Sequence, residues 1–219
     1  MKQPLPLQHA KKRAYYLVLG LLVAYGLLLA LVWLLPENLA DEPFTVWLQQ
    51  HLHPVGVAVA RFLGEAGKPY AVVLQAGISA VVLVFYGYRR EAAFITATLL
   101  ADAGNLVIKH LAGRPRPEQG LVAVLEEAGN NGFPSGHTVH ALVFYGFWLV
   151  LLPLFRNLAA PWRKLLTGVL LLLMVLTPWS RVYMGMHWPS DVIGGGFFGI
   201  ICLALICAAY FSDDPKLPS

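Results

Sequence analysis

The sequence predicts an all-α, polytopic membrane protein: a bundle of six transmembrane helices with a short interfacial helical segment between the first two. Three observations predict it. Of the 219 residues, 58% are hydrophobic and only 13% charged, far from the average of soluble domains. The apolar residues come in runs long enough to cross about 30 Å of hydrocarbon at a rise of about 1.5 Å per residue. Three polar segments fall at the ends of those runs.

The first run, Ala14 to Leu35, holds no charge and follows Lys11, Lys12 and Arg13. A secretory signal would have a shorter apolar core and a small-residue cleavage site, for which only Asn38-Leu39-Ala40 offers itself. It reads as a retained anchor behind a cytoplasmic tail of about residues 1–13. The segment of about residues 43–66 is too polar to span. Phe44, Trp47, Leu48, Leu52 and Val55 recur at helical spacing, with Pro54 as a break, so an amphipathic helix lying in the interface is expected, Trp47 at headgroup depth. Further spans read as Tyr70 to Tyr88, Ala92 to Ile108, Thr138 to Phe155, Leu165 to Tyr183 and Val192 to Phe211. The small residues of Gly194 to Gly199 sit in the last of these and suit close helix packing. Cys202 and Cys207 share it too and suggest neither a disulfide framework nor a zinc site. With no repeat, low-complexity tract or soluble appendage, residues 1–219 read as one domain.

Basic residues set the orientation. A cytoplasmic N-terminus puts Lys2, Lys11, Lys12, Arg13, Arg89, Arg90, Arg156, Arg163, Lys164 and Lys216 inside, ten of the 16 Lys and Arg. Arg61, Lys68, Lys109, Arg114, Arg116 and Arg181 remain outside and need another reason to be there.

The polar segments supply that reason. "KHLAGRPRP" leaves the third span, "PSGH" enters the fourth, and "SRVYMGMHWPSD" joins the fifth to the sixth. Six alternating spans bring all three to one outer face, assembling Lys109, Arg116, Arg181, Ser135, His137, His187 and Asp191. Lys and Arg suit phosphoryl oxygens, Arg through its planar fork. Ser135 is placed to cap the fourth helix, so the N–H groups of Gly136 and His137 would face an anion, and Gly136 would let that backbone come close. Two imidazoles offer proton transfer and nucleophilic attack near neutral pH. Asp191, four residues after His187, can hold one of its ring nitrogens and free the other.

Lys109 followed after six residues by Arg116-Pro117, then Pro134-Ser135-Gly136-His137, then Ser180-Arg181 with His187 and Asp191 resembles the three-part signature of the type 2 phosphatidic acid phosphatase superfamily. The match runs over residues 109–191. Trp179 departs from it, standing where many members have Gly, which bears on packing rather than chemistry. The resemblance implies hydrolysis of a lipid phosphate with no metal and no cofactor. His187 would attack phosphorus to form a phosphohistidine, aided by Asp191. His137 would protonate the departing oxygen and then activate water. Lys109, Arg116, Ser135, Gly136 and Arg181 would bind the phosphoryl oxygens.

It also implies a bacterial-type substrate, undecaprenyl pyrophosphate first, then phosphatidylglycerol phosphate or phosphatidic acid, with lipid A phosphate or a sphingoid phosphate behind. The expected setting is the plasma (inner) membrane, both termini cytoplasmic and the site outward. The expected partners are the lipid substrate and the bilayer, with no nucleic acid, the oligomeric state being left open. Headgroup selection would fall to Glu118–Gly132. Soluble vanadium-dependent haloperoxidases share the motifs, but lipid-length runs argue against them. A non-enzymatic lipid-binding or transport protein would not need a His paired with an Asp beside a basic cluster.

Five residues stay open. Arg114, which could also stand behind the phosphate ligands, reads either as a lipid-phosphate contact or as a ligand of a second phosphate. Asp102, an intramembrane carboxylate, reads either as a partner of Lys109 through Asn105, one helical face being shared, or as a structural acid bonded to a neighbouring helix. His140, one turn after His137, reads as pocket wall or as support behind it. His51 and His53 read as solvated interface residues.

Overall fold

The computed structural model describes residues 5–35, 40–126, 129 and 131–212, with side chains from Tyr16 onward, Leu17 excepted. The proposed Asn38-Leu39-Ala40 cleavage site, the side chains of the N-terminal tail and Lys216 lie outside the described residues, wholly or in part. The chain is all-helical: α1 (Leu5–Leu34), α2 (Asp41–Gln49), α3 (Pro54–Ala66), α4 (Pro69–Phe85), α5 (Arg89–Ala97), α6 (Leu99–Ala112), α7 (Gly136–His140), α8 (Gly146–Leu151), α9 (Ala160–Tyr183) and α10 (Pro189–Ser212). A π-helical turn, Ala141–Tyr145, joins α7 to α8, and a 3₁₀ turn, Leu152–Leu154, completes one helical run from Gly136 to Leu154.

It is a multi-pass membrane protein. Arg89–Ala112, Gly136–Leu154, Ala160–Tyr183 and Pro189–Ser212 are each long and apolar enough to cross a bilayer. Their flanks, and those of α4, present large apolar side chains outward: Val81 and Phe85 on α4, Leu172 and Val175 on α9. The expectation of six spans is met only in part. Among the described residues there are by length and composition four, or five if α3 and α4, bent by 65° at the break between them, count together. The first expected span has a described apolar stretch of only Val18–Leu34, and the second, Pro69–Phe85, passes only jointly with α3.

The segment expected to form one interfacial helix folds as two helices, α2 and α3. α2 ends before His53, whose side chain accepts from the Val55 N–H at 3.3 Å and whose successor, Pro54, opens α3 in the place where a missing N–H costs nothing. α3 packs along α9 rather than standing apart: the Tyr183 hydroxyl accepts from the His53 N–H at 2.8 Å and donates to His51 O at 3.1 Å. Trp179 stacks on Tyr183 with ring centroids 4.5 Å apart, so the residue that departs from the signature fills the α3–α9 seam.

The run Gly136–Leu154 is the centre of the bundle, packed by α6, α9 and α10. Between helices in lipid the attraction is van der Waals contact, so small residues set how near two backbones come. At Gly195 of α10 an added Cβ would lie 2.7 Å from Ser135 O, a contact only glycine permits, and this docks α10 onto the start of α7. The main aromatic core, with Leu83, Ile95, Phe144, Phe147, Leu151 and Tyr210, lies toward the other end of these helices. The polar segments are thereby left together at one end.

Candidate active site

Four helix ends and two loops build a cavity of about 310 Å³ lined by Gly64, Lys68, Arg116, Glu126, His137, Arg181, Met186 and His187. The connection Gly113–Ser135 is pinned to the α9–α10 turn by backbone bonds: Leu125 N to Met184 O at 3.0 Å and Ser135 N to Asp191 O at 3.0 Å. A further bond within it, Gly132 N to Arg114 O at 2.7 Å, folds the loop on itself. These backbone groups have few other partners, so the loop's course is set by satisfying them.

His187 is buried in the turn after α9. Its Nδ1 lies 3.4 Å from Asp191 Oδ2, which also accepts the Trp188 N–H at 3.0 Å. A carboxylate only accepts, so Nδ1 carries the hydrogen and Nε2 keeps its lone pair, toward which Arg116 Nη1 points from 3.3 Å. Burial, with Arg116, Lys109 and Arg181 nearby, holds this imidazole well below its usual pKa, so it is neutral at physiological pH. The same guanidinium nitrogen of Arg116 donates to Met186 O at 2.7 Å, and burial lowers the Arg116 pKa against the pull of Asp191.

His137 enters from the first turn of α7 and faces the same cavity. Its Nε2 is 3.0 Å from Gly64 O, and a carbonyl only accepts, so Nε2–H donates there and Nδ1 is the nitrogen left to exchange a proton. Arg181, buried at the end of α9, donates to Ala60 O at 2.5 Å and Ser180 Oγ at 3.0 Å, and its Nη1 stands 3.7 Å from Glu126. Arg61 is also 3.7 Å from Glu126, so this carboxylate occupies the cationic side of the cavity.

The structure therefore brings His137, His187, Arg116 and Arg181 onto one wall system, with Asp191 directly behind. Other expected ligands stand differently. Lys109 donates to Asn131 O at 3.2 Å and Gly132 O at 3.3 Å, and with His110 and Arg116 lines a neighbouring cavity of about 360 Å³. Ser135 caps α7 by position, but its hydroxyl makes no cap bond and is buried without a hydrogen-bond partner. Gly136 is not on the cavity wall. A Cβ there would come to 3.1 Å from Asn105 Nδ2, so its smallness admits Asn105, itself buried.

The open residues resolve into two buried networks. Arg114 is neither a lipid contact nor a ligand of a second phosphate: its side chain is 0% exposed and lies between Asp41 and Asp191, at 2.7 and 2.6 Å. Asp102 does not reach Lys109. It pairs with His140 Nδ1 at 3.3 Å across the α6–α7 contact, and His140 stacks on Phe144 away from the cavity. Among the described residues, no group of three or more His, Cys, Asp or Glu is arranged to hold a metal ion.

Gly64, Lys68 and Glu126 were not foreseen as wall residues, nor Asp41 as a partner of the site. Lys68, held by Glu65 in an exposed ion pair, comes in because the 65° bend between α3 and α4 folds that turn over His137, with Gly67 packed under its ring. The available signal was the pair of glycines before Lys68-Pro69, a turn composition next to outward basic residues.

Comparison with known proteins agrees with this geometry. The family description "PAP2 superfamily" matches residues 90–214. Undecaprenyl-diphosphatase BcrC of Bacillus subtilis (strain 168) is 30% identical over 137 residues, 60% of this chain and 65% of that protein. Phosphatidylglycerophosphatase B of the same organism is 29% identical over 138 residues, 63% of this chain and 64% of that protein. The chain thus spans just under two thirds of the length of these relatives. The crystal structure of a transmembrane PAP2-type phosphatidylglycerolphosphate phosphatase from Bacillus subtilis superposes with a TM-score of 0.80 at 21% identity, covering 91% of this chain and 98% of that one, a likeness of fold.

Proposed function

From the premise that the chain belongs to the PAP2 superfamily, we propose that it is a membrane lipid phosphatase working through a phosphohistidine. The observation that carries this reading is the shared cavity: two histidine rings and two guanidinium groups on the walls of one space of phosphoryl size. His187 Nε2 attacks phosphorus in line, the bond from phosphorus to the departing oxygen breaks, and His137, protonated on both ring nitrogens when substrate is bound, supplies from Nδ1 the proton that oxygen needs. Asp191 takes up the positive charge developing on His187. In the second half, His137 removes a proton from water, water oxygen bonds to phosphorus, and the His187 N–P bond breaks. Arg116 and Arg181 stabilise charge on the non-bridging oxygens. Lys109 and Ser135 join them on closure around substrate. Gly136 acts less directly, by giving Asn105 its place.

Among lipid phosphates we place undecaprenyl pyrophosphate first. The support is a relative of that name and more cations near the cavity, with Lys68, Arg61 and Lys109, than one phosphoryl group requires. Phosphatidylglycerol phosphate or phosphatidic acid is the second reading, supported by the phosphatidylglycerophosphatase relative. We further propose six membrane crossings, α1 and α4 included, with α2 and α3 at the interface. Residues 1–219 then form one domain with cytoplasmic termini in the plasma membrane and the cavity at outer headgroup depth.

The test is a panel. Purified protein in detergent with a chelator present is given undecaprenyl pyrophosphate, phosphatidylglycerol phosphate, phosphatidic acid and lipid A, and inorganic phosphate is measured. Release from at least one, fastest from undecaprenyl pyrophosphate, is expected. No release from any would favour a lipid-binding or transport protein, and strict magnesium dependence would count against a metal-free nucleophile.

A further inference from the structure

Two buried charges have no part in the mechanism above. Arg114, in the loop after α6, donates through Nη1 to Asp191 Oδ1 and to Ser190 Oγ, each at 2.6 Å, and through Nη2 to Asp41 Oδ2 at 2.7 Å. Asp41 completes a ring of bonds: Oδ1 accepts the Ser190 N–H at 2.9 Å, and Oδ2 accepts the Ser190 hydroxyl. The side chain of Asp41 is 5% exposed, those of Arg114 and Asp191 0%. Asp41 opens α2, outside the residues 90–214 that the family description covers.

We propose that Asp41 is a positioning residue for phosphoryl transfer, acting through Arg114 to keep the Asp191 carboxylate oriented toward His187. The proposal rests on the roles given to His187 and Asp191 above. Orientation follows from the bonds. Oδ1 of Asp191 is held by Arg114, which leaves Oδ2 for the Trp188 N–H and His187 Nδ1. Asp41 fixes the guanidinium from its other side and takes part of its charge, so more of the negative charge of Asp191 faces His187 when Nε2 bonds to phosphorus. Asp41 itself touches no cavity wall, so its influence falls on the chemical step and not on binding.

The experiment is a double-mutant cycle on the full chain in detergent: wild type, Asp41→Asn, Asp191→Asn and the double variant. Phosphate release is measured in single turnover where it is slow, with the thermal midpoint alongside. Asn preserves shape and removes the charge. Asp41→Asn should lower kcat about 10- to 100-fold, the range found when groups orienting a working histidine are removed, with KM within about twofold. In the Asp191→Asn background the same change should move kcat less than about twofold, since the carboxylate it acts through is gone. Equal losses in both backgrounds, a loss appearing only in KM, or wild-type kcat in Asp41→Asn would overturn the proposal. If Asp41→Asn yields no folded protein, Ser190→Ala takes its place in the cycle, removing the hydroxyl that bridges Asp41 and Arg114 beside their direct ion pair while all charges stay. It should cost several-fold in kcat with Asp191 present and nothing without it, and equal losses again overturn. A wild type that releases no phosphate from any lipid in the panel fails the functional reading itself, which the cycle alone does not do.

Discussion

Two histidine–carboxylate pairs sit in this bundle at almost the same separation, His187 with Asp191 at 3.4 Å and His140 with Asp102 at 3.3 Å. The first lies in a polar turn, its carboxylate gripped by Arg114, its second nitrogen facing Arg116 and a cavity. The second lies between α6 and α7, its ring stacked on Phe144 at 4.9 Å and its Nε2 buried without a hydrogen-bond partner. The pair distance therefore does not make a nucleophile. What separates the pairs is that His187 stands beside Arg116 on the wall of a cavity, whereas His140 does not line it.

The largest test of this contrast removes each ring. His187→Ala is expected to cut kcat by on the order of 1000-fold or more while the protein stays folded and monodisperse, because a covalent step has no substitute. His140→Ala is expected to keep most activity. Near-normal phosphate release by His187→Ala would erase the distinction between the pairs.

Next in size is the cation set. Arg181→Lys keeps a positive charge but loses the fork that spans Ala60 O, Ser180 Oγ and the cavity, and kcat/KM should fall about 10- to 100-fold. A loss of less than about twofold would mean that charge alone suffices there.

Acidity sharpens the comparison further. In the proposed mechanism His187 attacks as the neutral ring, and burial with Arg116, Lys109 and Arg181 alongside depresses its pKa, while a hydrogen bond to the Gly132 backbone opposes them. The acid limb of kcat/KM should thus lie below the ordinary imidazole range, with His187 still neutral as pH falls from 7 to 6. Arg116→Gln removes the nearest cation, so the limb should move to higher pH in that variant. A limb that stays put would show that Arg116 does not set the state of His187.

The same contrast explains what the sequence made legible. His187, His137, Arg116 and Arg181 could be read because polar residues at the ends of lipid-length helices have few reasons to be there, and alternating spans place those ends together. The place of Arg114 between two carboxylates was not readable. That residue follows Gly113, which ends α6 at φ 59° in the left-handed region, and beyond that point no helical periodicity says which of two arginines two residues apart turns inward. Asp41 was invisible for another reason: in "ADEPF" it looks like an acid at a helix start, and its partners, Arg114 and Ser190, lie 73 and 149 positions away. Asp102 announced itself as an anomaly, but spacing pointed along its own helix to Lys109, whereas in the structure it turns across to the buried His140.

The smallest expected effect is the one that separates the two pairs most finely. Asp102→Asn leaves a hydrogen bond to His140 available but removes the charge that pairs with it. In lipid such interhelical contacts contribute about 1 kcal/mol, so the thermal midpoint should fall by a few degrees. Turnover should stay within about twofold of wild type, because neither Asp102 nor His140 lines the cavity. A large fall in kcat at an unchanged midpoint would mean that the His140 pair reaches the reaction after all, through the π-helical turn that starts at Ala141. An unchanged midpoint and unchanged turnover together would leave the intramembrane carboxylate without either role, and the inward-facing charge would then have to be explained by something other than this ring.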